Sequence, residues 1–177
     1  MMPEISTEGA RVALRLVLEA DVTDDYVAWL NDAEVGAYLE TRFTTHTADD
    51  VRRYVRHQQA SDDAVLLAIV RRADRRHIGN LRIGAIDRRH HSATVALVIG
   101  DKSAWGQGFG SEAIDLATAY AFSSLAIVKL NARCYATNLA SIRAFEKAGW
   151  QHEGRQRSQF ETPQGRVGGV WLGIGRT

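Results

Sequence analysis

Cysteine and proline are scarce in this 177-residue chain, which has two prolines and one cysteine, Cys134. A single cysteine can form neither an intrachain disulfide nor a cysteine-built metal cluster, so no metal is expected. Cys134 lies in the strand-like segment 129–135, where a small buried apolar side chain is favoured over a nucleophile. The cysteine usage is typical of a reducing compartment.

Long apolar runs and an excess of one charge are also missing. The apolar stretches have the length of strands, far short of the about 20 residues of a membrane helix. The N-terminal residues lack the basic start and apolar run of a signal peptide. Twenty-two basic and 21 acidic residues leave a formal net charge of +1, which gives no support for nucleic acid as a partner. We therefore expect a cytoplasmic protein with no membrane and no nucleic-acid partner.

The first half of the chain has the pattern of short helices followed by an antiparallel meander. Asp21 resembles a helix N-cap, and Thr47 with Asp50 resembles a capping box that opens a helix with Tyr54 on its buried side. Short polar turns join three apolar runs, which predicts three antiparallel strands. These runs are residues 64–70, 78–86 and 93–99.

The second half changes to alternating helices and strands. The expected elements are a helix over 110–124, a strand over 128–135, a helix over 138–148, and a closing hairpin of 154–160 with 167–174. No internal repeat or long linker divides the sequence. The order of elements predicts one α+β domain over residues 1–177.

A glycine-rich loop at residues 105–111 is the most informative segment. An apolar strand ending at Ile99 runs into Gly106, Gly108 and Gly110, and a helix begins directly after them. Glycines leave backbone N–H groups unshielded, and a helix N-terminus adds free donors and a partial positive charge. This combination predicts a phosphate or diphosphate site, with a ligand-free turn as the alternative.

The spacing of these glycines excludes two familiar nucleotide motifs. A dinucleotide fingerprint needs G-x-G-x-x-G after the first strand of a βαβ unit, whereas this loop reads G-x-G-x-G and follows a meander. A P-loop needs G-K-[ST] after four intervening residues, which this loop lacks. Diphosphate binding remains, without a dinucleotide or triphosphate fingerprint.

Four segments, in order along the chain, resemble the GNAT acetyltransferase superfamily. Trp105-x-x-Gly108-x-Gly110 resembles its acyl-CoA-binding loop, and tryptophan at the first position is similar to the RimJ/RimL branch of N-terminal acetyltransferases. The other segments, which resemble the first helix, third strand and last helix of that branch, are 26–35, 78–81 and 138–150. The resemblance implies the GNAT fold, with a mixed, mostly antiparallel central sheet of about seven strands flanked by about four helices.

The resemblance also implies an acyltransferase that uses acetyl-CoA and acetylates a primary amine by direct attack in a ternary complex. Similar members act on protein N-termini, nucleotide-linked amino sugars or small-molecule amines. A non-catalytic CoA-binding sensor on the same fold is the alternative, because Phe145 stands where many members have a proton-donating tyrosine. Acetyl-CoA and an amine acceptor are the expected partners, and a monomer or homodimer the expected assembly.

Cofactor contacts implied by the resemblance fall on three segments. The strand before the loop is expected to splay from its neighbour and to offer backbone groups of Leu97, Val98 and Ile99 to the pantetheine arm. Asn138 is expected either to cap the last helix or to bond the pantetheine. The loop and last-helix residues implied to contact the cofactor are Trp105, Gly106, Gln107, Gly108, Phe109, Gly110, Ser111, Ser141 and Phe145.

Catalytic roles are implied for three side chains and one backbone group. Ser141 matches a serine that protonates the departing thiolate in the RimJ/RimL branch, with local bonding in its helical turn as the alternative. Glu161 matches a possible general base on the strand after the last helix. His91 is a second candidate base, because histidine is the residue type most often used for proton transfer near neutral pH, with a surface turn residue as the alternative. The oxyanion is expected at a backbone N–H of Val98 or Ile99.

Acceptor recognition is expected in the first helices and the loop between them. The candidate acceptor-binding residues are Trp29, Glu40, Arg42 and His46. For the three polar residues, solvated loop side chains are the alternative.

Overall fold

Eight strands form one mixed sheet in the computed structural model, which describes residues 6–176. In chain order they are β1 (Ser6–Glu8), β2 (Val12–Leu16), β3 (Val65–Arg71), β4 (Arg76–Asp87), β5 (Ser92–Ile99), β6 (Lys129–Tyr135), β7 (Gln151–Thr162) and β8 (Gly165–Gly175). The spatial order is β1-β2-β3-β4-β5-β6-β8-β7, and neighbours are antiparallel except β5 with β6. The predicted α+β class and mixed sheet are confirmed. The three-residue edge strand β1 accounts for one strand more than the about seven expected.

Four α-helices flank the sheet. They are α1 (Asp24–Asn31), α2 (Ala48–Gln59), α3 (Phe109–Ser124) and α4 (Leu139–Lys147). Among the described residues, no helix combines the length and the apolar character needed to span a bilayer.

The helix N-termini confirm one sequence prediction and correct another. The Thr47 hydroxyl accepts the Asp50 N–H at 3.2 Å, and the Asp50 carboxylate accepts the Thr47 N–H at 3.0 Å, so the capping box of α2 is present. Asp21 is not an N-cap, because both of its carboxylate oxygens bind the Arg15 guanidinium at 2.6 Å. Thr23 caps α1 instead.

Each face of the sheet carries its own apolar core. The core beneath α3 and α4 includes Leu14, Leu67, Ile69, Leu81, Ile83, Ile114 and Phe145. The core beneath α1 and α2 includes Val17, Tyr26, Trp29, Val51, Val55, Leu66 and Ala68. Each large aliphatic side chain buried in this way contributes about 1.5–3 kcal/mol. Tyr54, predicted on the buried side of α2, is 42% exposed instead.

Candidate active site

The two parallel strands at the centre of the sheet separate soon after they meet. Residues 92–94 of β5 pair with residues 129–131 of β6. Beyond that point, within the described residues, β5 pairs only with β4, and β6 pairs only with β8. We call the space between residues 95–99 and residues 132–135 the gap. The splay implied by the resemblance is therefore present.

The pairing of β5 with β4 decides which backbone groups face the gap. Gly100 N–H donates to the Ile78 carbonyl at 2.9 Å, and Ile99 lies opposite Gly79. Since hydrogen-bonded and non-hydrogen-bonded pairs alternate in an antiparallel ladder, Leu97 and Ile99 direct their N–H and C=O groups into the gap.

Val98 is the exception among the three β5 residues predicted to bind the cofactor. The same alternation turns its N–H and C=O toward β4, where it pairs with Asn80. The prediction that its backbone reaches the pantetheine or the oxyanion is therefore wrong. Its side chain packs with the α1–α2 core, whereas those of Leu97 and Ile99 pack with the α3–α4 core.

The glycine loop carries β5 into α3 through left-handed backbone. Gly106 and Gly108 have φ of +71° and +81°, a region that glycine adopts without the strain imposed by a Cβ atom. Gly108 is the N-cap of α3, and no side chain among the described residues caps this end. The first N–H groups of α3, at Gly110 and Ser111, therefore keep their donor capacity.

The loop side chains hold the loop in place. The Trp105 indole N–H donates to the Ile99 carbonyl at 2.8 Å. This hydrogen bond occupies the Ile99 carbonyl at the edge of the gap. The Gln107 amide donates to the Ser103 carbonyl at 2.5 Å. Phe109 is 7% exposed and belongs to the α3–α4 core, so only its backbone is open to a ligand.

Arg11, which sequence reasoning missed, reaches this loop from the turn between β1 and β2. Its Nη1 donates to the Gln107 carbonyl at 2.7 Å, and its Nε lies 3.0 Å from a Glu112 carboxylate oxygen. Burial works to raise the pKa of Glu112, but the N–H groups of Arg11 and Val12 and the Arg11 guanidinium outweigh it and lower that pKa. No local pattern predicts this contact, because 101 residues separate its partners.

The start of α4 lies on the same side of the gap as α3. The Asn138 side-chain oxygen accepts the Ser141 N–H at 3.2 Å, which makes Asn138 an N-cap and leaves its amide NH₂ available. The Ser141 hydroxyl lies 3.4 Å from the Cys134 sulfur. Burial raises the pKa of the Cys134 thiol, as expected for an apolar cysteine. Phe145 is 1% exposed in the core, away from any ligand surface.

Tyr135, at the end of β6, organises the other side of the gap, and sequence reasoning missed it too. Its hydroxyl donates to the Glu40 carboxylate at 2.7 Å and accepts from Arg42 Nη1 at 2.7 Å. Its ring stacks on Phe160 with a centroid distance of 3.8 Å. Burial, and then the hydrogen bond to Glu40, raises the pKa of Tyr135.

All four predicted acceptor-binding residues contact other parts of the protein. Trp29 is 9% exposed and packs on Gly100, where no side chain would fit. Arg42 Nη2 donates to the Glu161 carbonyl at 2.8 Å, so its guanidinium ties this loop to β6 and β7. The His46 Nε2 lies 2.9 Å from the Thr41 carbonyl. One carboxylate oxygen of Glu40 accepts the Tyr135 hydroxyl, and the other has no hydrogen-bond partner in the described part of the chain.

Neither candidate base is free at the gap. His91 precedes Leu97 by six residues of extended chain, or about 20 Å, and its Nδ1 lies 3.1 Å from the Ala126 carbonyl at the closed end of the β5–β6 pair. The structure therefore contradicts a catalytic role for His91. The Glu161 carboxylate forms an ion pair with Arg166 at 3.0 Å.

Known N-acetyltransferases are similar to this chain in sequence and in fold. An uncharacterized N-acetyltransferase, p20, of Bacillus licheniformis is 28% identical over 173 residues, or 97% of this chain and 94% of that protein. Spermidine N-acetyltransferase from Vibrio cholerae, solved with CoA and spermine, has a TM-score of 0.84 at 18% identity, covering 94% of this chain and 96% of its own.

Mycobacterium smegmatis RimJ, solved in complex with CoA-disulfide, has a TM-score of 0.84 at 15% identity, covering 98% of this chain and 88% of its own. These solved structures share the fold. Residues 11–151 match the family described as the acetyltransferase (GNAT) domain. The chain therefore belongs to the GNAT family of acetyltransferases, and the prediction of an acyltransferase is confirmed.

Proposed function

We propose that this protein is an acetyl-CoA-dependent N-acetyltransferase that acetylates a primary amine by direct attack in a ternary complex. The observation that carries the proposal is the gap itself, with an open β5 edge that runs into an uncapped helix N-terminus. We also propose that the chain acts as one domain over residues 1–177 and is similar in mode of action to the RimJ/RimL branch.

The residues on the α3–α4 side of the gap fit an acyl-CoA molecule. Leu97 offers its N–H and C=O groups and Ile99 its N–H, which match the amides of an extended pantetheine, while the Ile99 carbonyl is bound by Trp105. The amide NH₂ of Asn138, unused in its cap, is a further donor for that arm. Gly106, Gly108 and the first turn of α3 offer N–H groups to a diphosphate. We assign cosubstrate binding to this side.

Acetyl transfer needs a donor for the oxyanion and a proton for the departing thiolate. The cosubstrate supplies the acetyl thioester. A backbone N–H of the open edge, at Leu97 or Ile99, is preorganised to stabilise the oxyanion. The Ser141 hydroxyl, at the start of α4, is the proton donor that we assign to the thiolate. Ser141 would therefore take the role of the tyrosine hydroxyl that is missing at Phe145.

The amine must lose a proton before it attacks. A lysine amine has a pKa of about 10.4 and an α-amine about 8, so a protein N-terminus or a similar amine needs little help near neutral pH. Glu161 is held by Arg166, whereas Glu40 has a free carboxylate oxygen beside Tyr135. The reacting amine releases its proton to water before it attacks. We assign to Glu40 the binding of the acceptor's positive charge on the α1–α2 side of the gap as the acceptor arrives.

The negative charge of Glu40 indicates the class of the acceptor. Arg42 is bound by Tyr135, Leu39 and Glu161. Arg133, a second cation here, lies over the Phe160 ring at 5.1 Å, so Glu40 is the anionic group that we assign to the acceptor. A cationic amine suits that group better than an acceptor presenting a carboxylate or phosphate. The bound spermine of the Vibrio cholerae enzyme supports the same class.

Calorimetric titration of acetyl-CoA, with ATP and NAD as controls, tests the proposal. Selective binding in the micromolar range is expected, followed by release of free CoA in a screen of N-terminal peptides, polyamines and small amines. Acetyl-CoA binding without acetylation of any amine would favour a CoA sensor. No binding at all would remove the proposed function.

A further inference from the structure

The glycine loop has no positive side chain of its own. Residues 105–111 contain no lysine, arginine or histidine, and the first turn of α3 adds the carboxylate of Glu112. Backbone N–H groups and the helix dipole favour a dianionic diphosphate there. The Glu112 carboxylate opposes it, so a cation is needed from elsewhere in the chain.

Arg11 brings that cation to the loop. Its Nε binds Glu112, and its Nη1 binds the Gln107 carbonyl. Its remaining nitrogen, Nη2, lies 3.3 Å from the position that a Cβ on Gly108 would occupy. Nη2 has no hydrogen-bond partner within the described residues. Nε therefore pairs with Glu112, Nη1 pairs with the loop, and Nη2 alone is free beside the N-cap of α3.

The position of Arg11 is fixed without being closed to ligands. Its guanidinium lies over the Phe109 ring at 5.2 Å, and Glu112 accepts its backbone N–H at 2.7 Å. Its side chain is nevertheless 52% exposed. A guanidinium held in one orientation suits phosphate oxygens, because its planar N–H donors are already aligned.

We propose that Arg11 is a binding residue for the diphosphate of the acyl-CoA cosubstrate, which it meets through Nη2 beside Gly108. This inference rests on the proposed function. Lys102, the cation that precedes the loop, is held by Asp32 at 2.7 Å and Glu34 at 2.9 Å. Arg11, unlike Lys102, keeps a donor nitrogen without a hydrogen-bond partner within the described residues.

Calorimetry with four proteins and two ligands tests this inference. The proteins are the wild type, Arg11→Gln, Glu112→Gln and the double variant, and the ligands are CoA and 3′-dephospho-CoA. Loss of a charge-assisted hydrogen bond should weaken binding by about tenfold to a hundredfold. We expect the same factor for both ligands, because both contain the diphosphate. We expect the double variant to bind each ligand more weakly than Glu112→Gln by that same factor.

Three results would overturn the inference. A loss seen with CoA but not with 3′-dephospho-CoA would place the contact at the 3′-phosphate. A loss that disappears in the Glu112→Gln background would mean that Arg11 serves only to neutralise Glu112. Failure of the wild type to bind CoA would remove the proposed function itself. Should Arg11→Gln fail to fold, Arg11→Lys retains the charge without the planar fork, and a smaller loss, equal for both ligands, is expected.

Discussion

The two sides of the gap differ in whether backbone groups or side chains line them. On the α3–α4 side, backbone groups dominate, and they come from one continuous segment that runs from Leu97 through the glycine loop into α3. On the α1–α2 side, side chains dominate, and Glu40, Tyr135 and Phe160 come from three distant segments. Backbone donors suit a ligand common to a whole family, whereas side chains can change with each acceptor. The proposed function therefore assigns cosubstrate binding and acceptor choice to separable parts of the molecule.

The largest effect is expected from Gly108→Glu, which should abolish acetyl-CoA binding, with a loss of more than about a hundredfold. The left-handed φ of +81° disfavours any side chain, and the new carboxylate would repel the diphosphate. Calorimetry measures the loss. Gly154→Glu is the matched control, because Gly154 has open space around its Cβ position. Unchanged affinity in Gly108→Glu would remove the loop from the cosubstrate site.

A smaller effect, on turnover alone, is expected from Ser141→Ala. Loss of the proton donor should lower kcat by about a hundredfold, at the low end for general acid catalysis, and leave acetyl-CoA affinity unchanged. Steady-state kinetics and calorimetry together separate the two quantities. Ser123→Ala, near the end of α3, is the control. An unchanged kcat would leave Ser141 as a residue of the helical turn.

The smallest effect is expected from Tyr135→Phe, and on the acceptor alone. Without the hydroxyl, Glu40 and Arg42 lose their shared partner, and kcat/KM for the amine should fall about tenfold. The affinity for acetyl-CoA should stay the same. Tyr54→Phe, on α2, removes a hydroxyl from an exposed tyrosine as a control. A matching loss of acetyl-CoA affinity would mean that the two sides of the gap are not separable.

Local sequence patterns predicted the features of the fold that depend on residues close together along the chain. The Thr47–Asp50 capping box and the glycine loop each depend on a few consecutive residues. Asp21 was misassigned because its carboxylate turned to a partner on the preceding strand, Arg15, a choice that local pattern does not reveal.

The non-local contacts of the site lay beyond such reasoning. Arg11 meets Glu112 across 101 residues, and Tyr135 meets Glu40 across 95. Neither pair has a spacing that predicts contact, since only the assembled sheet brings them together. The failure of His91 has a similar cause: its residue type suits a base, but the direction of β5 carries it away from the gap.

The interruption of the sheet between β5 and β6 beyond Thr94 links the stability of the folded protein to its cosubstrate. If a pantetheine arm fills the gap, the cosubstrate takes the place of a missing strand, and the folded state gains its binding free energy. At a free concentration of 100 times Kd this gain is about 2.7 kcal/mol. The population of unfolded, protease-sensitive chains would then fall as acetyl-CoA or CoA accumulates. The abundance of this enzyme would thereby be tied to the supply of its own cosubstrate.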